Sequence, residues 1–218
     1  ISFVEAIQEL GDQFGVPVEF TGSDDSKEFF THLYEIHQLA ADLYHETLFS
    51  NRGEEAKKYL LDRGLSEDSL KLFKVGLAPA GSSHLWNAVK VKNYSQEVLE
   101  KSGLLGFSNN DIYDRFRSRI MFPIWNASGK IIAFGGRVFG TDDPAKYMNS
   151  PETPLYRKSE IFYGLNLTRD AIRKNECAIM VEGYTDLIQL FQAGIKNVVA
   201  VSGTAFTEKH VQQIRRFS

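Results

Sequence analysis

The sequence predicts an α+β fold in which helices and antiparallel strands come first and a parallel α/β unit follows. Apolar residues recur at helical spacing between Phe29 and Leu48, which predicts a long amphipathic helix. Residues 120–125 and 130–134 are strand-like and flank the turn-forming segment 126–129, which predicts an antiparallel hairpin. Residues 178–217 then alternate between strand and helix patterns, and this order is typical of parallel strands connected by helices.

Four segments follow from these patterns. The spacing of apolar side chains in residues 1–15 predicts a helix, and residues 16–27 are polar and turn-rich, which is typical of a linker. Residues 28–165 would form the mixed part of helices and antiparallel strands. Residues 166–218 would form the α/β part.

Short helices are predicted between the long helix and the hairpin. The pattern from Glu54 to Arg63 ends at Gly64, which suits the residue after a helix. Ser66 and Ser95 each precede a short helical pattern and are predicted to cap its first turn, because a serine hydroxyl can accept a hydrogen bond from a free backbone amide.

The composition is that of an ordinary globular protein and argues against two kinds of structure. No apolar run is long enough to span a bilayer, so no membrane partner is expected. A single cysteine, Cys177, excludes an internal disulfide framework and a zinc site built from cysteines. These observations favour a cytoplasmic location.

The charges are distributed unevenly along the chain. The net charge of −3 would argue against a nucleic-acid partner. Residues 1–50, however, hold ten acidic residues and one lysine, whereas residues 51–218 hold 24 Lys and Arg against 18 Asp and Glu. A basic body of this kind can bind phosphates, although the same charges could also form an ordinary solvated surface.

Two acidic residues follow the first predicted strand of the α/β part. The strand, residues 178–181, is apolar and predicted to be buried, and Glu182 comes directly after it. Asp186 lies four residues further on, in the first turn of the helix predicted from Tyr184 to Ala193. Because ligands gather at the carboxyl ends of parallel strands, these carboxylates could hold a divalent cation or act as a base. An acid in a first helical turn also favours the helix dipole, so Asp186 alone could be structural.

A small glycine-containing loop follows the second predicted strand, residues 197–201. Gly203 and Thr204 would let a phosphate or a metal-bound ligand approach the backbone closely. The alternative is an ordinary turn in which Thr204 or Thr207 caps the next helix, and the residues taken alone favour that alternative.

Three arginines alternate before the hairpin. Arg115, Arg117 and Arg119 are predicted to share one face of a strand, where they would suit a row of phosphates. The alternative is an exposed strand face, or ion pairs with Asp111 and Asp114.

Further basic residues follow the hairpin. Arg137 ends its second strand after two glycines and would present a guanidinium beside exposed backbone amides. The segment from Asp143 to Thr153 has two prolines and few apolar residues, which predicts a long functional loop. Lys146 within this loop and Lys158 beyond it would extend the basic surface.

Taken in order, these motifs resemble the catalytic core of the bacterial DNA primases of the DnaG type. The resemblance covers residues 30–218 and is carried by Arg115–Ile124, Gly135–Arg137, Lys146–Thr153, Ile161–Leu165, Val181–Asp186 and Ser202–Thr204. The ordered series is specific to this family, whereas the motif Glu-Gly-x-x-Asp is shared with topoisomerases and some nucleases through the Toprim fold. The resemblance implies an N-terminal core subdomain joined to a partial Toprim subdomain.

The resemblance also implies a role for each matching residue. Glu182 would be a metal-linked acid and base, and Asp186 would support the same metal site, with Mg²⁺ or Mn²⁺ as the cofactor. The surface that handles incoming nucleotide and template would comprise Arg115, Arg119, Arg137, Lys146, Asn149, Lys158, Gly203 and Thr204.

The sequence departs from the family pattern in two places. The family carries an Asp-Gly-Asp strand end that binds most of the catalytic metal, and this sequence has no Asp-x-Asp and stops about where that strand would begin. The family also carries an N-terminal zinc ribbon. The resemblance implies that residues 1–15 are the last helix of that domain. Zinc would bind only in the part of the zinc ribbon that precedes this sequence. We therefore expect these 218 residues alone to be inactive or nearly so.

The function implied is the synthesis of short RNA primers on single-stranded DNA during DNA replication. The implied partners are the DNA template, ribonucleoside triphosphates, the RNA–DNA hybrid product and, through a C-terminal region outside this sequence, the replicative helicase. Two alternatives stay open. A Toprim nuclease or topoisomerase-like enzyme explains Glu182 and Asp186 but not the basic series. A non-catalytic nucleic-acid-binding module explains the basic body and the missing Asp pair.

Overall fold

The structure is a computed structural model that describes residues 24–108, 111–201, 206–215 and 217. The predicted helix in residues 1–15 lies outside the described residues, as does most of the predicted linker, residues 16–27. The first described helix begins at Asp24, so the last four residues of that linker are helical. Acidic residues in this segment suit the positive end of a helix dipole, which explains why a polar stretch starts the helix.

Helices form most of the mixed part. They are α1 (Asp24–Phe49), α2 (Glu54–Asp62), α3 (Glu67–Leu72), α4 (His84–Val89) and α5 (Gln96–Lys101), with 3-10 turns at Asn51–Gly53 and Lys90–Lys92. The long helix is confirmed, and its apolar side from Leu33 to Leu48 is buried. Ser66 and Ser95 cap α3 and α5 as predicted, since each hydroxyl accepts a hydrogen bond from the backbone amide three residues on.

The strands of the mixed part form two antiparallel sheets. A two-stranded sheet pairs β2 (Leu105–Ser108) with β3 (Asp111–Asp114), and a four-stranded sheet has the order β1-β4-β5-β6, with β1 (Gly76–Ala78), β4 (Arg119–Trp125), β5 (Ile131–Val138) and β6 (Tyr147–Asn149). The predicted hairpin is β4–β5 and is confirmed. The prediction that the whole segment 143–153 is a loop was wrong, because β6 lies within it and pairs with β5.

Helix α1 covers one face of the four-stranded sheet. Met121 and Phe134 point to this face and are fully buried, and the ring of Phe134 meets that of Tyr44 edge-on at 5.7 Å. Gly76 in β1 allows the close approach, because an added Cβ would lie 2.6 Å from backbone and side-chain atoms of Tyr44. The absence of a side chain at this position therefore sets the spacing between helix and sheet.

The α/β part covers the opposite face. Its elements are α6 (Leu165–Asn175), β7 (Ile179–Val181), α7 (Tyr184–Gln192), β8 (Val198–Ala200) and α8 (Glu208–Ile214). Strands β7 and β8 pair in parallel, as predicted. Leu187 and Ile188 of α7 are buried in the same apolar cluster as Ile120 and Phe122 of β4, so the two parts share one core.

Strand β7 is more exposed than the sequence predicted. Residues 178–181 were predicted to be buried, yet Ile179 and Met180 are each 41% exposed. Among the described residues β7 pairs with β8 alone, so one of its edges is open. The exposure of Ile179 and Met180 is therefore that of an edge strand among the described residues.

Two glutamines of α7 form hydrogen bonds to the turn between α2 and α3. Gln192 donates from Nε2 to the carbonyl of Gly64 at 2.5 Å, and its Oε1 accepts from the backbone amide of Ser66 at 3.1 Å. Gln189 donates to the carbonyl of Arg63 at 2.7 Å. These bonds fix α7 relative to α2.

Within the described residues no helix is both long and apolar enough to cross a membrane.

His37 is a neutral group inside the packing of α1. Its ring is fully buried and stacks on Phe134 with 6.2 Å between the ring centroids, and Nδ1 lies 2.7 Å from the carbonyl oxygen of Leu33. Burial disfavours the charged ring and lowers the pKa of His37 to about 4, although the hydrogen bond to Leu33 opposes part of this effect.

The lowered pKa of His37 predicts a loss of stability in mild acid. The folded pKa lies below the ordinary value of 6.5, so the stabilising contribution is complete above pH 6.5 and is lost as the pH falls towards 4. From pH 7 to pH 5 the free energy of unfolding should drop by about 2 kcal/mol through this group, at about 1.4 kcal/mol per pH unit below 6.5.

Urea unfolding of the parent protein and of His37→Phe at both pH values measures this contribution. The variant keeps an aromatic ring against Phe134 and removes the titrating group, so the difference between the two proteins cancels the other titrations. The same pH dependence in both proteins would contradict the account of a buried neutral His37.

Candidate active site

The two predicted acids both follow β7 at its carboxyl end. Glu182 directly follows the strand, α7 begins at Tyr184, and both Glu182 and Asp186 are exposed. Asp186 lies in the first turn of α7 and bends back over Gly183, because a Cβ added to that glycine would lie 2.8 Å from Oδ2 of Asp186. The missing side chain at position 183 thus lets the second carboxylate approach the loop that carries the first.

Tyr184 connects this acidic loop, residues 182–186, to the four-stranded sheet. Its ring is 3% exposed and stacks on Phe122 with 4.9 Å between centroids and 10° between ring planes. Its hydroxyl donates a hydrogen bond of 2.7 Å to Oδ1 of Asn149 in β6. Gly135 in β5 provides the space, since an added Cβ would lie 2.3 Å from the tip of the Tyr184 ring.

The strand register extends this connection to the basic residues. Gly135 pairs with Asn149, and Arg137 pairs with Tyr147 two residues further along the same strands. Residues two apart on a strand share a face, so Arg137 and Tyr147 lie beside the Tyr184 contact. The acidic loop and the end of the β5–β6 pair therefore belong to one surface.

Arg137 is held between two tyrosines. Its Nη1 donates a 2.6 Å hydrogen bond to the hydroxyl of Tyr147, and its guanidinium carbon lies 5.4 Å from the centroid of that ring. The same carbon lies 5.7 Å from the ring centroid of Tyr59 in α2. Both rings are partly exposed, so the guanidinium is oriented by aromatic contacts and is accessible from solvent.

Sequence reasoning missed Arg63, the residue that follows α2. Its Nη1 donates a 3.3 Å hydrogen bond to the hydroxyl of Tyr59, and its guanidinium carbon lies 5.6 Å from that ring. Through this tyrosine Arg63 joins Arg137 on the basic surface. A basic residue at a helix end has an ordinary explanation in the helix dipole, and only the packing of α2 beside β5 shows the proximity.

The predicted lysines lie on exposed or partly exposed segments. Lys146 precedes β6 with an exposed side chain, and its carbonyl accepts a 3.0 Å hydrogen bond from the amide of Val138. Lys158 begins the 3-10 turn Lys158–Glu160, and its amide donates to the Glu152 carboxylate at 2.9 Å. Both are compatible with a basic surface.

The three alternating arginines do not share a strand face, so that prediction was wrong. Strand β3 ends at Asp114 and β4 begins at Arg119, and between them Ser118 adopts a φ of 50°, which interrupts an extended strand. Arg117 is exposed and lies over the Tyr113 ring at 5.5 Å, whereas Arg115 is half-buried. The three side chains have three different environments.

Arg119 is an interior residue. Its side chain is 2% exposed, and it forms an ion pair of 2.5 Å with Asp143 and a 2.9 Å hydrogen bond to the carbonyl of Ala145. It therefore fixes the segment before β6, and its burial argues against the predicted contact with template. Asp114, considered as an ion-pair partner, instead accepts hydrogen bonds from the amides of Leu85 and Trp86 in α4.

The described residues include only part of the loop after β8. Gly203 and Thr204 lie outside the described residues. Thr207, one of the two capping residues that the sequence suggested, caps α8 by accepting a hydrogen bond from the amide of His210. The predicted ligand contacts of Gly203 and Thr204 stay predictions.

The acidic loop offers ligands for a hard cation. Glu182 and Asp186 supply carboxylate oxygens of the kind that Mg²⁺ and Mn²⁺ bind, and their exposure leaves space for water or phosphate ligands. Within the described part of the chain no group of three or more His, Cys, Asp or Glu side chains is arranged to hold a metal ion. The two carboxylates fit a site in which further oxygen ligands complete the coordination of the cation.

Two known families match the chain along most of its length. Residues 43–169 match the family described as the DNA primase catalytic core, N-terminal domain, and residues 176–218 match the Toprim domain. The chain belongs to the DNA primases of the DnaG type. The resemblance that the ordered motifs indicated is confirmed, and so is the α+β fold with its antiparallel and parallel parts.

Two similar relatives are bacterial DNA primases. The chain is 40% identical over 224 residues to a DNA primase of Lactococcus lactis and 38% identical over 226 residues to one of Staphylococcus aureus. Both alignments cover 100% of this chain but only 35% and 38% of those proteins. The chain thus spans little more than a third of the length of these primases.

Solved primase structures share the fold. The RNA polymerase domain of Mycobacterium tuberculosis primase DnaG matches with a TM-score of 0.82 and 35% identity, covering 86% of this chain and 61% of that one. A DnaG primase catalytic domain bound to single-stranded DNA matches with 0.75 and 37%, covering 88% and 60%. The zinc-binding and RNA polymerase domains of Aquifex aeolicus primase match with 0.79 and 34%, covering 100% and 52%.

The contact between Tyr184 and Gly135 predicts that alanine substitutions at two adjacent glycines will differ in their effect on stability. Gly135→Ala should lower the free energy of unfolding by about 1 to 3 kcal/mol, because the new methyl group would overlap the Tyr184 ring. Gly136→Ala is the matched control: its Cβ would lie 3.0 Å from Arg119 and 3.1 Å from Phe116, so a shift of a few tenths of an ångström accommodates it and the substitution should cost less.

Neither Gly135 nor Gly136 has a positive φ, so the backbone accepts alanine at both positions. Urea unfolding of both variants measures the difference. Equal losses of stability would contradict a specific role for the Tyr184 contact.

Proposed function

We propose that the polypeptide to which this chain belongs synthesises short RNA primers on single-stranded DNA. The observation that carries the proposal is the hydrogen bond between Tyr184 and Asn149, which joins an acidic loop to the β5–β6 pair that carries Arg137. Nucleotidyl transfer needs both features, because carboxylates hold divalent cations and guanidinium groups hold phosphates. The similarity of the whole chain to bacterial DNA primases supports the same activity.

The reaction joins a ribonucleotide to the end of a growing primer. The primer 3′-hydroxyl attacks the α-phosphorus of a ribonucleoside triphosphate, a new P–O bond forms, and the bond to pyrophosphate breaks. Glu182, as the base beside the metal site, would accept the hydroxyl proton. A Mg²⁺ or Mn²⁺ ion held by Glu182 and Asp186 would lower the pKa of the attacking hydroxyl and neutralise charge on the phosphates. The two carboxylates would orient this ion at the carboxyl end of β7.

The basic residues would hold the phosphates of nucleotide and template. Arg137 is oriented by Tyr147 and by Tyr59, so its planar guanidinium can bind a phosphate without a large loss of side-chain freedom. Arg63 would contribute a second guanidinium from the end of α2. Lys146, Asn149, Lys158 and Arg115, with Gly203 and Thr204, would complete the surface.

Template binding would depend mainly on the DNA backbone. Positively charged and aromatic groups bind single strands with little sequence preference, and binding weakens as salt rises. The similar DnaG catalytic domain that was solved with single-stranded DNA supports this assignment. The template, ribonucleoside triphosphates and the RNA–DNA hybrid would all occupy the surface between the acidic loop and α2.

The remaining parts of the polypeptide would supply functions that this chain does not contain. We propose that residues 1–15 end a zinc-binding domain, that residues 16–27 tether it, and that residues 28–165 and 166–218 are the core subdomain and the first half of the Toprim subdomain. The matched ranges 43–169 and 176–218 support the last division. A further region would contact the replicative helicase, and the protein would act in the cytoplasm.

A topoisomerase-like reaction has less support. It would need a nucleophilic hydroxyl beside the metal site, and Tyr184 is the tyrosine nearest to the acids along the chain. Its ring is buried, and its hydroxyl donates to Asn149. The geometry of Tyr184 therefore fits a structural link and not a nucleophile.

Labelled ribonucleotide incorporation on single-stranded DNA with Mg²⁺ tests the proposal. In the full-length polypeptide Glu182→Gln should lower incorporation by about 100-fold or more, since removing one preorganised electrostatic group has effects of this size. Glu176→Gln is the matched control, because Glu176 is exposed and lies before β7, away from its carboxyl end.

Incorporation that is indifferent to Glu182→Gln would exclude the assigned metal site. DNA cleavage without incorporation would favour the nuclease alternative. The 218 residues alone should incorporate little in the same assay, because the acidic loop offers only two carboxylates. Robust synthesis by this chain would contradict that expectation.

A further inference from the structure

One aromatic ring contacts two arginine side chains on the basic surface. The guanidinium carbons of Arg63 and Arg137 lie 5.6 Å and 5.7 Å from the ring centroid of Tyr59. Arg63 also donates a hydrogen bond to the Tyr59 hydroxyl at 3.3 Å. The pair Tyr59–Arg63 is an ordinary neighbour pair on a helix, but Arg137 comes from β5, far along the chain. The fold therefore builds this cluster.

The two guanidinium groups carry like charges that repel each other. Among the described residues neither Arg63 nor Arg137 has a carboxylate within ion-pair distance. The electron-rich face of an aromatic ring attracts a guanidinium, and this attraction offsets part of the repulsion. Tyr59 therefore attracts each of two guanidinium groups that pair with no carboxylate among the described residues.

The ring of Tyr59 is itself fixed by neighbouring elements. It is half-buried and packs against Phe139, which follows β5, with 5.5 Å between ring centroids. Arg137 is fixed on its other side by Tyr147. The four side chains form a series in the order Arg63, Tyr59, Arg137 and Tyr147.

We propose that Tyr59 is a positioning residue that holds Arg63 beside Arg137 so that both guanidinium groups bind phosphates of one single-stranded DNA template. The inference rests on the proposed function and adds to it the side chain that organises the phosphate contacts. An arginine that is already oriented loses less conformational entropy when it binds, so the arrangement strengthens binding without a direct contact between Tyr59 and DNA.

The test is binding of a fluorescent single-stranded oligonucleotide by the full-length polypeptide, measured as anisotropy over a range of salt. Tyr59→Met keeps an apolar side chain against Phe139 but removes the ring face. It should weaken binding about tenfold, as Arg63→Ala should, which is the scale of one lost charge-assisted contact. The slope of log affinity against log salt should fall by about 0.7 in each case, the value for one phosphate contact to a single strand.

The double variant and the conservative variant distinguish positioning from other roles. Tyr59→Met combined with Arg63→Ala should bind no more weakly than Tyr59→Met alone, because the loss of the ring already disturbs the Arg63 contact. Tyr59→Phe should retain binding within about twofold, because the ring face that attracts the guanidinium remains. Additive losses in the double variant would mean that Tyr59 contacts DNA itself and would overturn the positioning role.

Two outcomes separate this inference from the proposed function. Undiminished binding by folded Tyr59→Met, with weakened binding by Arg63→Ala and Arg137→Ala, would overturn the positioning role alone. Undiminished binding by both arginine variants would overturn the proposed nucleic-acid surface as well.

A spectroscopic measurement keeps the inference testable even if Tyr59→Met does not fold. In the unmodified protein the side-chain NεH protons of Arg63 and Arg137 should be shifted by the ring current of Tyr59, and Tyr59→Phe should preserve the shift. Random-coil positions for both protons would show that the ring does not hold the guanidinium groups.

Discussion

The ring of Tyr184 fills the space that a side chain at position 135 would occupy, and the rest of the site depends on this contact. A buried aromatic ring packs over a large area, and its hydroxyl needs a partner, which Asn149 supplies. Tyr184 is also the first residue of α7, so the packing of its ring against Phe122 fixes the start of the helix. The acidic loop, residues 182–186, is thereby fixed on the face of the sheet that carries Arg137.

The adjacent glycines of β5 make room for different side chains on the two faces of the strand. Gly135 receives Tyr184, whereas Gly136 leaves room on the other face for Phe116 and the buried Arg119. Arg119 pairs with Asp143 and so holds the segment that leads to Lys146 and β6. The ion pair of the buried Arg119 with Asp143 thus positions the exposed Lys146 at the surface. The basic residues differ in role for this reason, although the sequence presents them as one series of similar side chains.

The sequence predicted those features that depend on neighbours in the chain. The hairpin β4–β5 has an apolar run on each side of a turn, and the hydroxyls of Ser66 and Ser95 act within one helical turn. The acids at the end of β7 followed from the order of strand and helix. Features that depend on distant contacts escaped prediction. Strand β6 exists through pairing with β5, the exposure of β7 reflects its open edge, and Arg63 reaches Arg137 because α2 packs beside β5.

The central claim is that Tyr184 places the cation site beside the β5–β6 pair. Paramagnetic broadening of amide NMR signals by Mn²⁺ bound to the full-length polypeptide tests this most directly. Signals of Gly183, Gly135 and Asn149 should broaden together, and Glu182→Gln should remove the effect. Broadening at Gly183 without broadening at Gly135 and Asn149 would contradict the account.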